Sequence, residues 1–161
     1  MQKDTRITLD NKIKDLNNAI IELGSLVEQA ILGSVRVLDN RDLEKAREIY
    51  QGDQIINEKR YEIERQALIA VATQQPLATD LRILSSIIDL AGELERIGDY
   101  AKGIARIAIR LGKQAPLKNL PQIPQMADLT ADMLHRAIGS FVELDEETAL
   151  AIPEEDDQVD R

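Results

Sequence analysis

Apolar residues recur about every 3.5 to 3.6 positions along almost the whole chain, and this period constrains the fold more than any other feature. Spacings of four and three residues alternate, which keeps one stripe of a helix facing its partner helices. The first stripe contains Leu9, Ile13, Leu16, Ile20, Leu23, Val27 and Ala30. Because no segment alternates with period two, we predict an all-α protein without strands.

The breaks in this period divide the chain into helices. A turn at 39–42, with Asp42 as a candidate N-cap, ends the first helix, and the second ends near Pro76. The third stripe comprises Ile83, Ile87, Leu90, Leu94, Ile97, Ala101, Ile104, Ala108 and Leu111. Short turns make neighbouring helices antiparallel, so we predict an up-down three-helix bundle over residues 1–111. Three prolines mark 112–124 as a linker.

The chain resembles itself at an offset of 103 residues without a gap. Asp42 and Asp53 fall on Asp145 and Asp156, and the apolar positions around them also coincide. We therefore predict one complete repeat over 1–111 and, over 125–161, half of a second repeated bundle, C-terminally truncated. Such a half bundle leaves an apolar face on its two helices uncovered, which favours oligomerisation or disorder there.

Composition excludes several classes of protein. The 161 residues include no Cys and a single His, which rules out disulfide scaffolds, Cys-ligated metal sites and multi-His sites. The net charge of −9 argues against nucleic-acid partners. Nine acids against one base fall within 143–161, so most of this charge belongs to the second repeat. No signal peptide or membrane-spanning segment is predicted, and we expect a cytoplasmic protein.

Four carboxylates are predicted to lie at one height of the first bundle. Asp53 interrupts the apolar stripe of the second helix, where a carboxylate needs a partner, a proton or a metal ion. Counting back from the turns places it level with residue 97, which Glu95 and Asp99 bracket, and with Glu28. A hard cation, or iron or manganese, is suited to carboxylate ligands.

A structural role for these carboxylates is the alternative. Acids four positions apart occur seven times in this chain, so the spacing of Glu95 and Asp99 alone is weakly informative. Asp53 could instead pair with a base such as Arg96. Three nearby glycines are predicted to keep side chains clear of the carboxylates, namely Gly92, Gly98 and Gly103.

Two sequence strings resemble signatures of a known family. Residues 75–82 are similar to Q-P-x-A-x-D-L-R, and 93–101 are similar to E-L-E-R-I-G-D. Gly24-Ser25-Leu26-Val27-Glu28 and the repeated Asp53 and Asp156 elements also match. Over essentially 7–161 the chain resembles the PhoU family of bacterial phosphate-transport regulators.

The resemblance implies two pseudo-symmetric three-helix bundles with multinuclear metal clusters on carboxylates. The ions it implies are iron or zinc, with manganese or magnesium as further candidates. By position, Glu95 and Asp99 correspond to the first metal motif and Asp80 to the aspartate of the D-L-R signature. Asp156 and Asp160 correspond to the second repeat, whose own E-R-I-G-D motif would fall near position 198, outside this chain.

By resemblance, the expected function is negative regulation of phosphate uptake and of the phosphate regulon. The protein would be a non-enzymatic adaptor between the ATPase of the phosphate ABC transporter and a sensor histidine kinase. It would form a homodimer and reach the membrane only through these partners. Two other functions stay open: a structural helical scaffold or oligomerisation module without a metal site, and a carboxylate-bridged metalloenzyme, against which the single His argues.

Overall fold

The computed structural model describes residues 2–112 and 121–160, and the side chains of 7–112, 121–157 and 159. Within these ranges the chain forms five α-helices. They are α1 (Gln2–Asn40), α2 (Leu43–Gln74), α3 (Ala78–Leu111), α4 (Gln122–Glu143) and α5 (Glu146–Asp160). The prediction of an all-α fold is confirmed. The fourth helix begins three residues earlier than expected, and 113–120 of the predicted linker lie outside the described residues.

Helices α1, α2 and α3 pack against one another as the first bundle. Its core is built from Leu, Ile, Val and Ala, and its largest fully buried apolar side chains are Ile20, Leu23, Val27, Ile63, Leu84, Ile87 and Leu94. The stripe predicted for α1 is buried as expected at Leu9, Leu16 and Val27. Burial of one continuous stripe on each helix is the main stabilising term of such a bundle.

The buried stripe of α3 differs from the predicted one at every second position. Four residues of α3 are buried as predicted, namely Ile87, Leu94, Ala101 and Ala108. The buried residues that alternate with them are Leu84, Ala91, Gly98 and Ala105. The larger residues Ile83, Leu90 and Ile97 lie at the edge of the core and are only partly buried. Because α3 packs against both α1 and α2, its small residues take the narrow position between the two helices.

The turns of the two repeats correspond at the offset of 103 residues. Asn40 ends α1 and Glu143 ends α4. The next residues, Arg41 and Leu144, both have φ of 58°, a left-handed conformation that is uncommon outside glycine. This coincidence supports the internal repeat, because a shared backbone strain at equivalent positions does not follow from amphipathic patterning.

An aspartate caps the second helix of each repeat. Asp42 accepts a hydrogen bond from the backbone N–H of Lys45 at 3.1 Å. Asp145 accepts one from the N–H of Thr148 at 3.1 Å and another from its hydroxyl at 2.6 Å. These bonds satisfy N–H groups that a helix start leaves without partners, and they lower the pKa of Asp145.

The second repeat is joined to the first through α1. Helix α4 packs on α1, and within the described residues α5 packs on α4 alone. Arg136 of α4 binds Asp132 at 2.9 Å and forms a bidentate pair with Glu155 of α5. The exposed apolar side chains of this half bundle include Leu144 and Leu150, as its incomplete core predicts.

The contact between α1 and α4 depends on a glycine. A Cβ placed on Gly24 would lie 2.2 Å from Cδ1 of Ile138, which is buried. No side chain fits there without displacing the isoleucine. None of the helices in the described ranges combines the length and apolar character needed to cross a bilayer.

We expect Gly24→Ala to be less stable than Gly92→Ala by about 1–3 kcal/mol in urea unfolding. A Cβ at Gly92 meets no atom within 4 Å, so that control should gain the roughly 0.5–1 kcal/mol of a helical alanine. Ile138→Val removes Cδ1 and should therefore reduce the penalty of Gly24→Ala. Equal stability of the two alanine variants would contradict the close packing.

The cap of α5 should weaken in acid. The pKa of Asp145 is lowered in the folded protein, so its stabilisation is complete above the ordinary value of about 3.9 and is lost as the pH falls through the folded value. Asp145→Asn keeps the cap acceptor without the titration, whereas Asp145→Ala removes both. Hydrogen exchange should show α5 protected but acid-insensitive in the first variant, and unprotected in the second already at neutral pH.

Candidate functional site

Asp53 is a buried carboxylate in the middle of the first bundle. It lies in the core-facing stripe of α2 with its side chain 5% exposed. Its Oδ2 accepts hydrogen bonds from Lys102 Nζ at 2.6 Å and from Asn57 Nδ2 at 3.0 Å, whereas its Oδ1 is buried without a partner. The charge-assisted bonds to Oδ2 offset the cost of burying this carboxylate.

Lys102 is the cation that neutralises Asp53. It extends from α3 to α2, and its Nζ also lies 3.4 Å from Asp99 Oδ1 and 5.8 Å from the centre of the Tyr50 ring. The hydrogen bond to Asp53 raises the pKa of Lys102, although partial burial opposes this rise. We call Asp53, Asn57, Asp99 and Lys102 the Asp53 cluster.

A cleft of about 280 Å³ opens beside the cluster. Its lining comes from three helices: Leu26, Gln29 and Ala30 of α1, Ile49, Gly52, Asp53, Ile55 and Ile56 of α2, and Gly98 and Lys102 of α3. Asp53 therefore shares this cleft with Gln29 of α1 and Gly98 of α3, which neighbour the positions 28 and 97 predicted from the turns. The approximate position of a residue along the bundle axis was predictable, because it depends only on residue counts and a rise of about 1.5 Å per residue.

The face that each carboxylate occupies was not predictable in the same way. Gln29 lines the cleft, whereas the neighbouring Glu28 lies on the side of α1 that meets α4. Its Oε1 lies 3.2 Å from Nδ1 of His135, so Glu28 contributes to the junction of the two repeats. One residue corresponds to about 100° around a helix, which is enough to change the partner helix.

The remaining predicted site residues are dispersed. Asp80 is buried in the first turn of α3, about 28 Å along the helix from Asp99. Glu95 is partly buried one turn before Asp99, and Asp156 is exposed on α5, away from the first bundle. The side chain of Asp160 lies outside the described residues. Among the predicted residues, the structure brings Asp53 and Asp99 together through Lys102.

The Asp53 cluster does not fit a metal ion as its side chains stand. An ammonium and an amide N–H group already bind one oxygen of the Asp53 carboxylate, and a metal ion on the other oxygen would face the like charge of that ammonium. In the described parts of the chain, no three or more His, Cys, Asp and Glu side chains are grouped so that they could hold a metal ion. Metal binding through Glu28, Asp53, Asp80, Glu95, Asp99, Asp156 and Asp160 stays a prediction.

A basic partner for Asp53 was predicted from the sequence as an alternative, but the residue that provides it was not. The suggested Arg96 instead forms an exposed ion pair with Glu93 at 3.5 Å. Lys102 follows Asp99 by one helical turn, and its long side chain bridges the remaining distance to α2. The three-residue spacing between Asp99 and Lys102 and the length of a lysine side chain could together have indicated this partner from the sequence.

The three glycines predicted to lie around the carboxylates differ in what surrounds them. A Cβ on Gly98 would lie 3.1 Å from Ile56, so this glycine allows α3 to approach α2. At Gly92 and Gly103 an added Cβ meets no atom within 4 Å. Close helix packing therefore explains one of the three glycines, and nothing in the structure requires the other two.

The Asp53–Lys102 pair should stabilise the fold up to alkaline pH. Because the folded pKa of Lys102 is raised, its contribution is complete below the unfolded value of about 10.4 and is lost as the pH rises through the folded value. Unpairing one fully buried charge costs about 3–5 kcal/mol, and the partial exposure of Lys102 reduces this figure.

We therefore expect Lys102→Met to lower the free energy of unfolding at pH 7 and to narrow its difference from the wild type above pH ~10.5. Urea titrations of both proteins across this range measure the difference. A gap that stays constant with pH would show that Lys102 stabilises the fold by packing rather than by its charge.

Both the sequence and the architecture of this chain are similar to those of known proteins. A family model described as "PhoU domain" matches residues 20–108 and 123–161, on both sides of the predicted linker. The chain is 33% identical to the phosphate-specific transport system accessory protein PhoU homolog of Aquifex aeolicus, with 94% of this chain and 69% of that protein covered. It is 29% identical to the PhoU protein of Escherichia coli, with 93% and 62% covered.

Solved structures give the same result. The fold matches the phosphate transport system regulatory protein PhoU of Streptococcus pneumoniae with a TM-score of 0.86 at 29% identity, over 94% of this chain and 72% of that one. PhoU of Pseudomonas aeruginosa matches with a TM-score of 0.87 at 29% identity, over 94% and 73%. The chain spans 62–69% of the length of the two relatives named above. With the family model matching most of its length, the chain belongs to the PhoU family.

Proposed function

We propose that this protein regulates phosphate uptake as an adaptor between the ATPase of a phosphate ABC transporter and a sensor histidine kinase. The observation that carries the proposal is the PhoU domain match over both repeats, together with relatives named as phosphate-specific transport system accessory proteins. The solved relative from Streptococcus pneumoniae is a phosphate transport system regulatory protein. In this proposal the chain represses phosphate uptake and the phosphate regulon when phosphate is abundant.

The geometry supports a binding function. The first bundle presents exposed aromatic side chains, Tyr61 at 61% and Tyr100 at 66%, on two of its three helices. Tyrosines are enriched at protein interfaces because they combine a large apolar area with a hydroxyl group. Arg60 stacks on Tyr61 at 4.6 Å, and arginine is likewise typical of interface hot spots.

The charge of the chain favours protein partners over nucleic acids. A net charge of −9 repels phosphate backbones and attracts basic protein surfaces. We propose that the chain acts in the cytoplasm, without enzymatic activity of its own, and reaches the membrane through the transporter ATPase. This arrangement accounts for an accessory role that needs neither a membrane-spanning helix nor a catalytic centre of its own.

A scaffold or oligomerisation module is the second candidate function. The specific observation that favours it is the apolar groove of about 470 Å³ between α4 and α5, which includes Phe141, Leu144 and Ile152. Leu150 nearby is 68% exposed. We propose that this surface contributes to a homodimer, and sedimentation equilibrium should then show a dimer that Leu150→Glu weakens.

The adaptor proposal is tested in a bacterium that lacks its own PhoU protein. The full chain should restore repression of a phosphate-regulon reporter in phosphate-rich medium, because the adaptor transmits the state of the transporter to the kinase. The variant Tyr61→Ala/Tyr100→Ala tests the proposed partner surface. It should retain the helical content of the wild type and lose repression. In vitro, the purified chain should bind the ATPase subunit and the kinase separately.

Two outcomes separate the candidate functions. A folded chain that binds neither protein and leaves the reporter derepressed would contradict the adaptor proposal. A chain that dimerises but shows no such binding would favour the scaffold. Repression that persists in the double tyrosine variant would place the partner surface elsewhere on the bundle.

A further inference from the structure

The Asp53 cluster holds a cation of its own. We propose that the ammonium group of Lys102 is the permanent counter-ion of Asp53, and that the first bundle consequently folds without a divalent metal at this position. The inference concerns how the first repeat is neutralised, and it does not depend on the proposed adaptor function.

The hydrogen bonds of Asp53 leave no position for a metal on its Oδ2. Lys102 Nζ lies 2.6 Å from this oxygen, a distance close to the 2.0–2.6 Å at which carboxylates bind divalent cations. A second donor, Asn57 Nδ2, lies 3.0 Å from the same oxygen. A metal ion on Oδ2 would have to displace both donors and would face the repulsion of a like charge from the lysine.

The other oxygens of the cluster do not provide an alternative. Oδ1 of Asp53 is buried without a hydrogen-bond partner, but a metal ion on it would face the ammonium of Lys102, which lies 2.6 Å from the other oxygen of the same carboxylate. Asp99 is about half exposed, and its contact with the cluster is made through Lys102 at 3.4 Å. The two carboxylates are therefore bridged by one ammonium group from the helix that also carries Asp99.

This arrangement predicts that a variant without Lys102, rather than the wild type, depends on a metal ion for stability. In the wild type, the positive charge is covalently attached to α3 and is always present. Lys102→Met removes the ammonium nitrogen but retains an apolar stem of the same length up to Cε. The variant leaves Asp53 and Asp99 facing a vacated cation position, so a divalent ion should now stabilise the bundle.

The experiment uses the full chain, freed of metal with a chelator, and Mn²⁺ as the probe. Thermal unfolding and the electron paramagnetic resonance signal of free Mn²⁺ are measured for each protein. We expect the wild type to keep its Tm when Mn²⁺ is added and to bind no more Mn²⁺ than Asp53→Asn does. Lys102→Met should lose about 5 °C or more in Tm and regain part of it with Mn²⁺.

Two controls isolate the cluster. Lys59→Met removes another lysine that spans two helices with an Nζ–Oε2 distance of 2.6 Å, but its partner Glu22 is 65% exposed. That variant should lose little stability and gain no response to Mn²⁺. Lys102→Arg keeps a positive charge and should stay independent of Mn²⁺, whereas Asp53→Asn/Lys102→Met should abolish the response of the single variant.

The proposal is overturned if the wild type is stabilised by Mn²⁺ and Asp53→Asn removes that effect. It is also overturned if Lys102→Met remains folded and gains no more from Mn²⁺ than Lys59→Met does. Should Lys102→Met fail to fold, the comparison of the wild type with Asp53→Asn and Lys102→Arg still decides the question.

Discussion

The apolar stripe of α1 is the constraint on which the rest of the structure depends. This helix packs against α2 and α3 to form the first bundle and against α4 to join the second repeat. Leu23 and Val27 are fully buried within it. Gly24 lies between them and admits Ile138 of α4. One helix thus supplies both the core of a bundle and the attachment of its neighbour.

Against this apolar background, the Asp53–Lys102 pair fixes how α2 and α3 meet. A buried ion pair contributes little net stability, because desolvation opposes the Coulomb attraction. It does, however, disfavour alternative registers, since a slip of one helical turn would leave Asp53 buried and unpaired. We infer that the pair specifies the alignment of α2 with α3, while the apolar stripe supplies most of the stabilisation.

The sequence allowed the fold to be predicted nearly completely, for a physical reason. Helix period, caps and turns are local properties, so the turn at Asp42 and its repeat at Asp145 were correctly placed. The heights of residues on neighbouring helices followed from counting residues back from these turns. Gly98 and Gln29, next to the predicted positions, line the same cleft as Asp53.

The candidate site was predicted less well, because side-chain contacts depend on rotation about the helix axis and on reach. Glu28 was predicted to lie beside Asp53 but contacts His135 of α4. Lys102 was missed because the prediction compared only carboxylates with Asp53 and suggested Arg96 as the base, whereas the Nζ of Lys102 reaches Asp53 from α3. Burial of Asp53 demanded a counter-charge, and residue spacing alone did not say which base would supply it.

The most direct test of this account is the coupling free energy between Asp53 and Lys102, measured in chelator by a double-mutant cycle of Asp53→Asn and Lys102→Met. If the ammonium is the counter-ion of the buried carboxylate, the cycle should give a coupling of roughly 1–3 kcal/mol in favour of the pair. A coupling within about 0.3 kcal/mol of zero would contradict the account, because the two side chains would then stabilise the bundle independently.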